Sequence, residues 1–154
     1  DGVDYLIENI ADEIFTGRGV LWKMALEYSS NYIIGDGFSS FWDAGELSSP
    51  AIYASDVGSR QWVMRIEQGH NGYLDIFVTL GLVGLLLLCV FIMSLILKSY
   101  QMLRLGYFLP FSIVLFVVLH NLTESSFLYF YTPNWFFLVL FSAYSLRDLE
   151  VRFV

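Results

Sequence analysis

The sequence IFVTLGLVGLLLLCVFIMSLIL, from Ile76 to Leu97, is the strongest structural signal in the chain. It contains no charged side chain and is apolar almost throughout. An α-helix needs about 20 predominantly apolar residues to cross the hydrocarbon core of a bilayer. The stretch therefore predicts a transmembrane helix over residues 76–97, and the other segments are interpreted relative to it.

Two further apolar segments follow this helix along the chain. Residues 105–122 form a shorter apolar run, and residues 127–146 form a run that is rich in aromatic side chains. Trp and Tyr favour the boundary between membrane and water, and a helix tolerates a proline such as Pro133 near its start. We therefore predict an all-α membrane protein with about three transmembrane helices, over residues 76–97, 105–122 and 127–146.

The composition agrees with a membrane protein and argues against one class of partner. The 154 residues are 56% hydrophobic and 15% charged, whereas soluble domains contain about 25% charged residues. The formal net charge is -7, while nucleic-acid-binding proteins present basic patches, so nucleic acid is not an expected partner. The single Cys89 cannot form an internal disulfide or a thiolate metal cluster.

The basic residues predict the orientation of the helices. Lys98 and Arg104 lie between the first two predicted spans, and Arg147 and Arg152 lie in the tail. Basic residues are enriched on the cytoplasmic side of membrane proteins, so we expect the C-terminus to be cytoplasmic. Residues 1–72 are then expected on the outer side, together with the connection between the second and third spans.

The outer segment contains its own structural signals. Apolar residues at helical spacing predict an exterior helix over residues 17–32, with Thr16 as its N-cap and Gly35 after its end. The sequence Gly35–Gly37 predicts a turn, and residues 43–60, which are rich in Ser, Ala and Gly, predict a long loop.

The chain divides into two regions in this interpretation. Residues 1–72 form the exterior segment, and residues 73–154 form the membrane domain. The chain starts at Asp1 rather than at a methionine. We therefore expect a C-terminal piece of a larger multi-span helical bundle, with its other spans upstream.

His70 is the first candidate for chemistry, in the sequence GHNGY just before the first predicted span. An imidazole at the mouth of a membrane site can take a proton from a hydroxyl group near neutral pH. On a helix that begins near His70, Gly81 lies eleven residues later on almost the same face, where it would admit a neighbouring helix below the histidine. The alternative, a capping or interface histidine, stays open.

Three arginines and one glutamate are the other candidates. Arg18, Arg60 and Arg65 are exterior cations, and a planar guanidinium can bind two phosphate oxygens at once. For any one of them, a solvated charge or an ion pair with a nearby acid is the favoured alternative. Glu124, in the outer connection, is either a functional carboxylate or an interfacial charge. The two histidines lie too far apart in sequence to predict a metal site, and no cofactor is expected.

Two motifs, in the order in which they occur along the chain, resemble the O-antigen ligase-like superfamily. This superfamily includes O-antigen ligases, O-antigen polymerases and exopolysaccharide polymerases. The first is TGRGVLW at Thr16–Trp22, followed by IGDGF at Ile34–Phe38. The second is HNGYLD at His70–Asp75, followed by GLVG at Gly81–Gly84. The segment NLTES at Asn121–Ser125 is similar to the corresponding segment of the exopolysaccharide polymerase branch.

The resemblance implies a multi-span, GT-C-like glycosyltransferase of the bacterial inner membrane, with residues 1–72 in the periplasm. It implies a glycan donor on undecaprenyl pyrophosphate, a sugar hydroxyl as acceptor, and no need for a metal or a nucleotide sugar. The histidine of the family maps to His70 as the general base, and its arginine maps to Arg18 as a pyrophosphate contact. Arg60 and Arg65 match no motif of the family.

We therefore expect a polymerase that joins repeat units of an extracellular polysaccharide, working among membrane lipids and other components of polysaccharide export. An O-antigen ligase that transfers glycan to lipid A core is the alternative within the same class. A transporter or a non-catalytic membrane component is the alternative from a different class, and a truncated, inactive product is a further one.

Overall fold

The computed structural model describes residues 18–38, 40–42, 64–129 and 131–152. Within these ranges the chain forms four α-helices and no β-strand. The helices are α1 (Arg18–Tyr28), α2 (Gly72–Arg104), α3 (Phe108–His120) and α4 (Pro133–Arg152). The all-α prediction is therefore confirmed for the described part of the chain. The predicted Thr16 cap and the loop over residues 43–60 lie outside it.

α2 begins on a side-chain cap and is the most apolar helix. The side chain of Asn71 accepts hydrogen bonds from the backbone N–H groups of Tyr73 and Leu74, which have no partner inside the helix. Among the described residues, α2 is the one helix long and apolar enough to cross a membrane. Only 22% of its most apolar 18-residue window is buried, whereas the core helix of a soluble protein is mostly buried. α2 is thus compatible with a membrane protein.

α2, α3 and α4 pack in chain order around one hydrophobic core, and α1 packs on α2. The residues buried in this core are Ile76, Leu88, Ile92, Leu95, Val114, Val117, Phe127 and Leu138. A second face of α2 is apolar but exposed, with more than half of each side chain accessible at Leu86, Leu87, Val90, Met93 and Leu97. An exposed apolar face of this extent is unusual for a soluble monomer and agrees with contact to lipid or to further helices.

The second apolar segment forms a shorter helix than predicted, and the third forms a helix of the predicted length, 20 residues, that begins and ends six residues later. α3 covers Phe108–His120 instead of residues 105–122, because Gly106 adopts a φ of 94° in the turn that precedes it. α4 begins at Pro133 instead of residue 127, because the Thr132 hydroxyl donates to the carbonyl of Tyr129 and closes a separate turn there. With 13 residues, α3 is shorter than the roughly 20 needed for a span, so three spans remain a prediction.

α1 ends at Tyr28, before the predicted limit at residue 32. The side chain of Asn31 accepts two following backbone N–H groups, and its carbonyl accepts the N–H of Gly35. Such local bonds offer the backbone an alternative to a further helical turn, so the helix stops. Gly35 and Gly37 have φ values of 76° and 101°, which confirms the turn predicted between them.

Residues 32–37, hereafter the clasp loop, pair with a break in α2. Gly81 has φ 65° and ψ -166°, which no helical residue adopts, so the backbone groups around it lose their helical partners. The clasp loop supplies four replacement hydrogen bonds: Asp36 N to Val78 O (2.8 Å), Gly37 N to Thr79 O (3.0 Å), Leu82 N to Tyr32 O (2.8 Å) and Val83 N to Ile33 O (3.1 Å). Broken helices in apolar surroundings require such substitutes.

The break corrects the expectation about Gly81. Gly81 does not lie on a continuous helical face with His70, because the helix changes direction there; its missing side chain admits the backbone of Ile33 rather than a neighbouring helix. The clasp loop contacts α2 about 14 Å from its first residue, at a rise of about 1.5 Å per residue.

Candidate functional site

The connection between α3 and α4 contacts the start of α2. The backbone N–H of Gly72 donates to the carbonyls of Asn121 and Glu124, at 2.9 and 3.2 Å. A side chain at position 72 would collide with the Asn121 amide, so this approach requires glycine. The contact brings His70, two residues before Gly72, opposite Glu124.

Asn121 stabilises the turn that presents Glu124. Its side chain is fully buried; the amide donates to Val117 O and Ser126 Oγ, and its oxygen accepts the N–H groups of Ser126 and Phe127. All of these bonds hold one turn together, so Asn121 has a structural role.

Three of the residues predicted from separate parts of the chain form one cluster. His70 Nδ1 lies 3.0 Å from Glu124 Oε2, and Arg18 Nη2 lies 2.7 Å from Glu124 Oε1. Arg18 Nη1 also donates to the carbonyl of Thr123, at 2.5 Å. Glu124 therefore bridges the histidine and the arginine, and we call these three residues the His70–Glu124–Arg18 cluster.

The electrostatics of the cluster determine the tautomer of the histidine. The hydrogen bond from His70 lowers the pKa of Glu124 below its ordinary value, and the charges of His70 and Arg18 lower it further against the opposing effect of burial. Glu124 is therefore ionised at neutral pH and can only accept hydrogen bonds. In the neutral form of His70, Nδ1 therefore carries the proton and the lone pair is on Nε2, the arrangement that a general base requires.

The backbone of His70 is unusual for its residue type. Its φ of 52° lies in the left-handed region, where non-glycine residues are uncommon. On one side the Asn71 cap fixes the chain, and on the other side the N–H of Gly69 donates to the carboxylate of Asp75. Residues held in such conformations by their surroundings concentrate at functional sites.

The cluster borders an open cleft of about 360 Å³. Its lining residues are Leu21, Arg65, Ile66, Glu67, Gln68 and His70. The side chains of His70 and Glu124 are both 37% exposed, so a ligand in solution can reach them. Arg65 is exposed and lines the same cleft as His70, while Arg60 lies outside the described residues.

Asp75 is a buried carboxylate that sequence reasoning missed as a site residue. It accepts hydrogen bonds from Gly69, Trp42 and Ser125, next to the cluster. Its sequence signal is an acid one position before an uncharged apolar run, where a charge is expensive unless it is paired. Within the described ranges, no three His, Cys, Asp or Glu side chains are arranged to hold a metal ion.

Comparison of the chain with protein-family models, with curated proteins and with solved structures finds no match. The family resemblance therefore stays a prediction.

The lowered pKa of Glu124 predicts a contribution to the stability of the fold that depends on pH. A carboxyl group whose pKa is lower in the folded state stabilises the fold at pH values above its ordinary pKa, which is about 4.3 for Glu. This contribution is lost as the pH falls through the lowered pKa of the folded state. We expect Glu124→Gln to lower the thermal unfolding midpoint at pH 7, and the difference from wild type to shrink as the pH falls below about 4.3 and to disappear at a pH below the lowered pKa of Glu124.

Thermal unfolding of the detergent-solubilised protein over a pH series measures this effect. Glu27→Gln is the matched control, because Glu27 is an exposed carboxylate on α1. The control should differ little from wild type at any pH. A midpoint difference for Glu124→Gln that stays constant from pH 7 to acid would contradict the ion-pair assignment.

Proposed function

We propose that the chain is part of an inner-membrane polysaccharide polymerase that transfers a glycan from undecaprenyl pyrophosphate to a sugar hydroxyl at the periplasmic face. The observation that carries the proposal is the contact of His70, Glu124 and Arg18 at the start of the long apolar helix. The motifs that resemble the O-antigen ligase-like superfamily supply the classes of donor and acceptor.

In this proposal His70 is the general base. Its Nε2 takes the proton of the acceptor hydroxyl while the hydroxyl oxygen attacks the anomeric carbon of the donor glycan. A new glycosidic C–O bond forms, and the bond between the anomeric carbon and the pyrophosphate oxygen breaks with inversion. Glu124 holds the Nδ1 proton and stabilises the imidazolium that results, and a positioned base of this kind contributes about 10²–10⁴-fold in rate.

Arg18 stabilises the leaving group in this proposal. The departing pyrophosphate gains negative charge, and preorganised cations near that charge lower the barrier. The two contacts of Arg18 with Thr123 and Glu124 engage two of the five N–H donors of its guanidinium, so further donors remain for phosphate oxygens. Arg65, on the same cleft as His70, is a second cation within the site.

The location of the cluster supports a lipid-linked donor. The cluster lies at the first turn of α2, and Lys98 and Arg104 lie near its opposite end. If α2 crosses the membrane, the basic end favours the cytoplasm, and the cluster is then at the outer surface. A pyrophosphate whose lipid tail is in the bilayer would reach the cluster there.

Complementation tests the activity directly. We expect the full-length gene to restore long-chain glycan in a host that lacks its surface-polysaccharide polymerase but makes the matching repeat units. Glycan length is measured on a gel, and the empty vector provides the control with single units only. Single units from the gene at normal membrane levels would contradict polymerase activity.

A second host separates the remaining functions. In a strain that has a polymerase but lacks its ligase, transfer of finished glycan to lipid A core would identify a ligase with the same base and leaving-group chemistry. Activity in neither host would favour a transporter or a non-catalytic membrane component.

A further inference from the structure

Asp75 is a buried carboxylate that the proposed reaction does not use. It is only 5% exposed, and it accepts hydrogen bonds from three separate segments. The N–H of Gly69 lies 3.0 and 3.1 Å from its two oxygens, the indole nitrogen of Trp42 lies 2.9 Å from Oδ1, and the hydroxyl of Ser125 lies 2.5 Å from Oδ2. Burying a carboxylate costs free energy unless hydrogen bonds of this kind replace those to water, so the fold depends on these contacts.

The partners of Asp75 flank the two residues of the proton-transfer pair. Gly69 precedes His70 in the chain, and Ser125 follows Glu124. A Cβ on residue 69 would lie 2.7 Å from Asp75 Oδ1, so glycine is needed for this approach. One carboxylate therefore binds the backbone N–H of the residue before the base and the side chain of the residue after the carboxylate that orients it.

We propose that Asp75 is a positioning residue that sets the distance between His70 and Glu124, and thereby the rate of proton transfer. The statement about rate rests on the proposed function, whereas the statement about distance does not. Catalytic groups must be held within about 0.5 Å of their productive geometry, and a misplacement of about 1 Å can cost about 100-fold in rate.

The conformation of His70 supports the same inference. Its left-handed backbone is maintained only where the surrounding structure fixes the chain on both sides. The Asn71 cap fixes the C-terminal side, and the bonds from Gly69 to Asp75 fix the N-terminal side. Loss of the Asp75 carboxylate would release one of the two constraints.

Two substitutions of Asp75 separate geometry from charge. Asp75→Asn keeps an oxygen that can accept from Gly69 and Trp42, and its amide can donate to the Ser125 hydroxyl. Asp75→Ala removes all four bonds. In a transfer assay on the full-length protein, we expect Asp75→Ala to lower kcat at least tenfold with KM unchanged, and Asp75→Asn to stay within about threefold of wild type.

A second pair of variants keeps the test decisive if Asp75→Ala does not fold. Ser125→Ala removes the bond beside Glu124, whereas Trp42→Phe removes a bond to the same carboxylate from a segment that carries neither His70 nor Glu124. We expect kcat to fall about fivefold in Ser125→Ala and less than twofold in Trp42→Phe, at equal membrane levels. Equal losses in the two variants would mean that Asp75 has only a general structural role.

A spectroscopic measurement distinguishes this inference from the proposed function. The ring nitrogen signals of ¹⁵N-histidine in the full-length protein report the His70–Glu124 contact, and the His70 signal is identified by its loss in His70→Ala. We expect that signal to shift in Ser125→Ala and Asp75→Ala but not in Trp42→Phe. An unshifted signal in Ser125→Ala and Asp75→Ala would overturn the inference. If the wild-type protein has no transfer activity but the His70 signal still shifts in Ser125→Ala and Asp75→Ala, the inference about distance is retained and the proposed function is rejected.

Discussion

We expect His70→Ala to leave single repeat units where the wild-type gene makes long-chain glycan, with a fall in transfer rate of about 10²–10⁴-fold. The variant removes the Nε2 lone pair that takes the proton of the acceptor hydroxyl. It leaves Glu124 and Arg18 paired, so the remaining cluster can still contact a pyrophosphate. The loss should therefore appear in kcat more than in donor binding.

His120→Ala is the matched control for this prediction. His120 is the other histidine of the chain; its ring lies 5.5 Å from that of Phe116, and its Nδ1 lies 3.4 Å from the amide nitrogen of Asn134. Only its backbone carbonyl bonds to the turn that carries Glu124, and the substitution preserves that carbonyl. We expect normal glycan length from His120→Ala. Long chains from His70→Ala at the same membrane level would show that His70 is structural.

The main features of the fold were predictable because they depend on local properties. An uncharged apolar run predicts a helix over residues 76–97, and the apolar part of α2 lies there. The turn at Gly35–Gly37 was predictable for the same reason, since glycine tolerates positive φ where other residues do not. Helix ends were less accurate, because side chains such as that of Asn31 compete locally with the helix.

The break in α2 was not predictable from the apolar pattern. Leucine and valine flank Gly81 as they would in a continuous helix, and hydropathy does not register the path of the backbone. The break depends on a partner almost fifty residues earlier, the clasp loop, which replaces the lost hydrogen bonds. Pairing between segments so distant in sequence is a tertiary property that no local signal encodes.

The candidate site illustrates the same limit. His70, Arg18 and Glu124 were each identifiable from residue type and position, but their contact was not, because Arg18 and Glu124 are 106 residues apart. The sequence left a choice between an arginine that binds phosphate and one that pairs with an acid. The structure contains the ion pair, and the proposed reaction uses the remaining N–H groups, so the two roles do not exclude each other.

The second large effect is expected from Gly81→Ala. A continuous α2 and an α2 broken at Gly81 predict changes in stability of opposite sign for this substitution. In a continuous helix, Gly81→Ala would stabilise the protein by about 1 kcal/mol, because alanine is the better helix former. In the structure, Gly81 has backbone angles restricted to glycine, which cost other residues roughly 1–3 kcal/mol, and a Cβ would also collide with the backbone of Ile33. We therefore expect a lower unfolding midpoint and a severalfold lower membrane level.

Gly106→Ala separates the two costs at Gly81. Gly106 also has a positive φ, 94°, but a Cβ there would meet nothing within 4 Å, so this variant has the backbone cost without the collision. Thermal unfolding and membrane level of both variants, measured in parallel, should show Gly81→Ala as clearly the more damaged. Equal damage would mean that the clasp loop does not pack against α2, and a stabilised Gly81→Ala would mean that α2 is continuous. The order wild type, Gly106→Ala, Gly81→Ala in decreasing stability is therefore the result that only a broken helix, closed by the clasp loop, predicts.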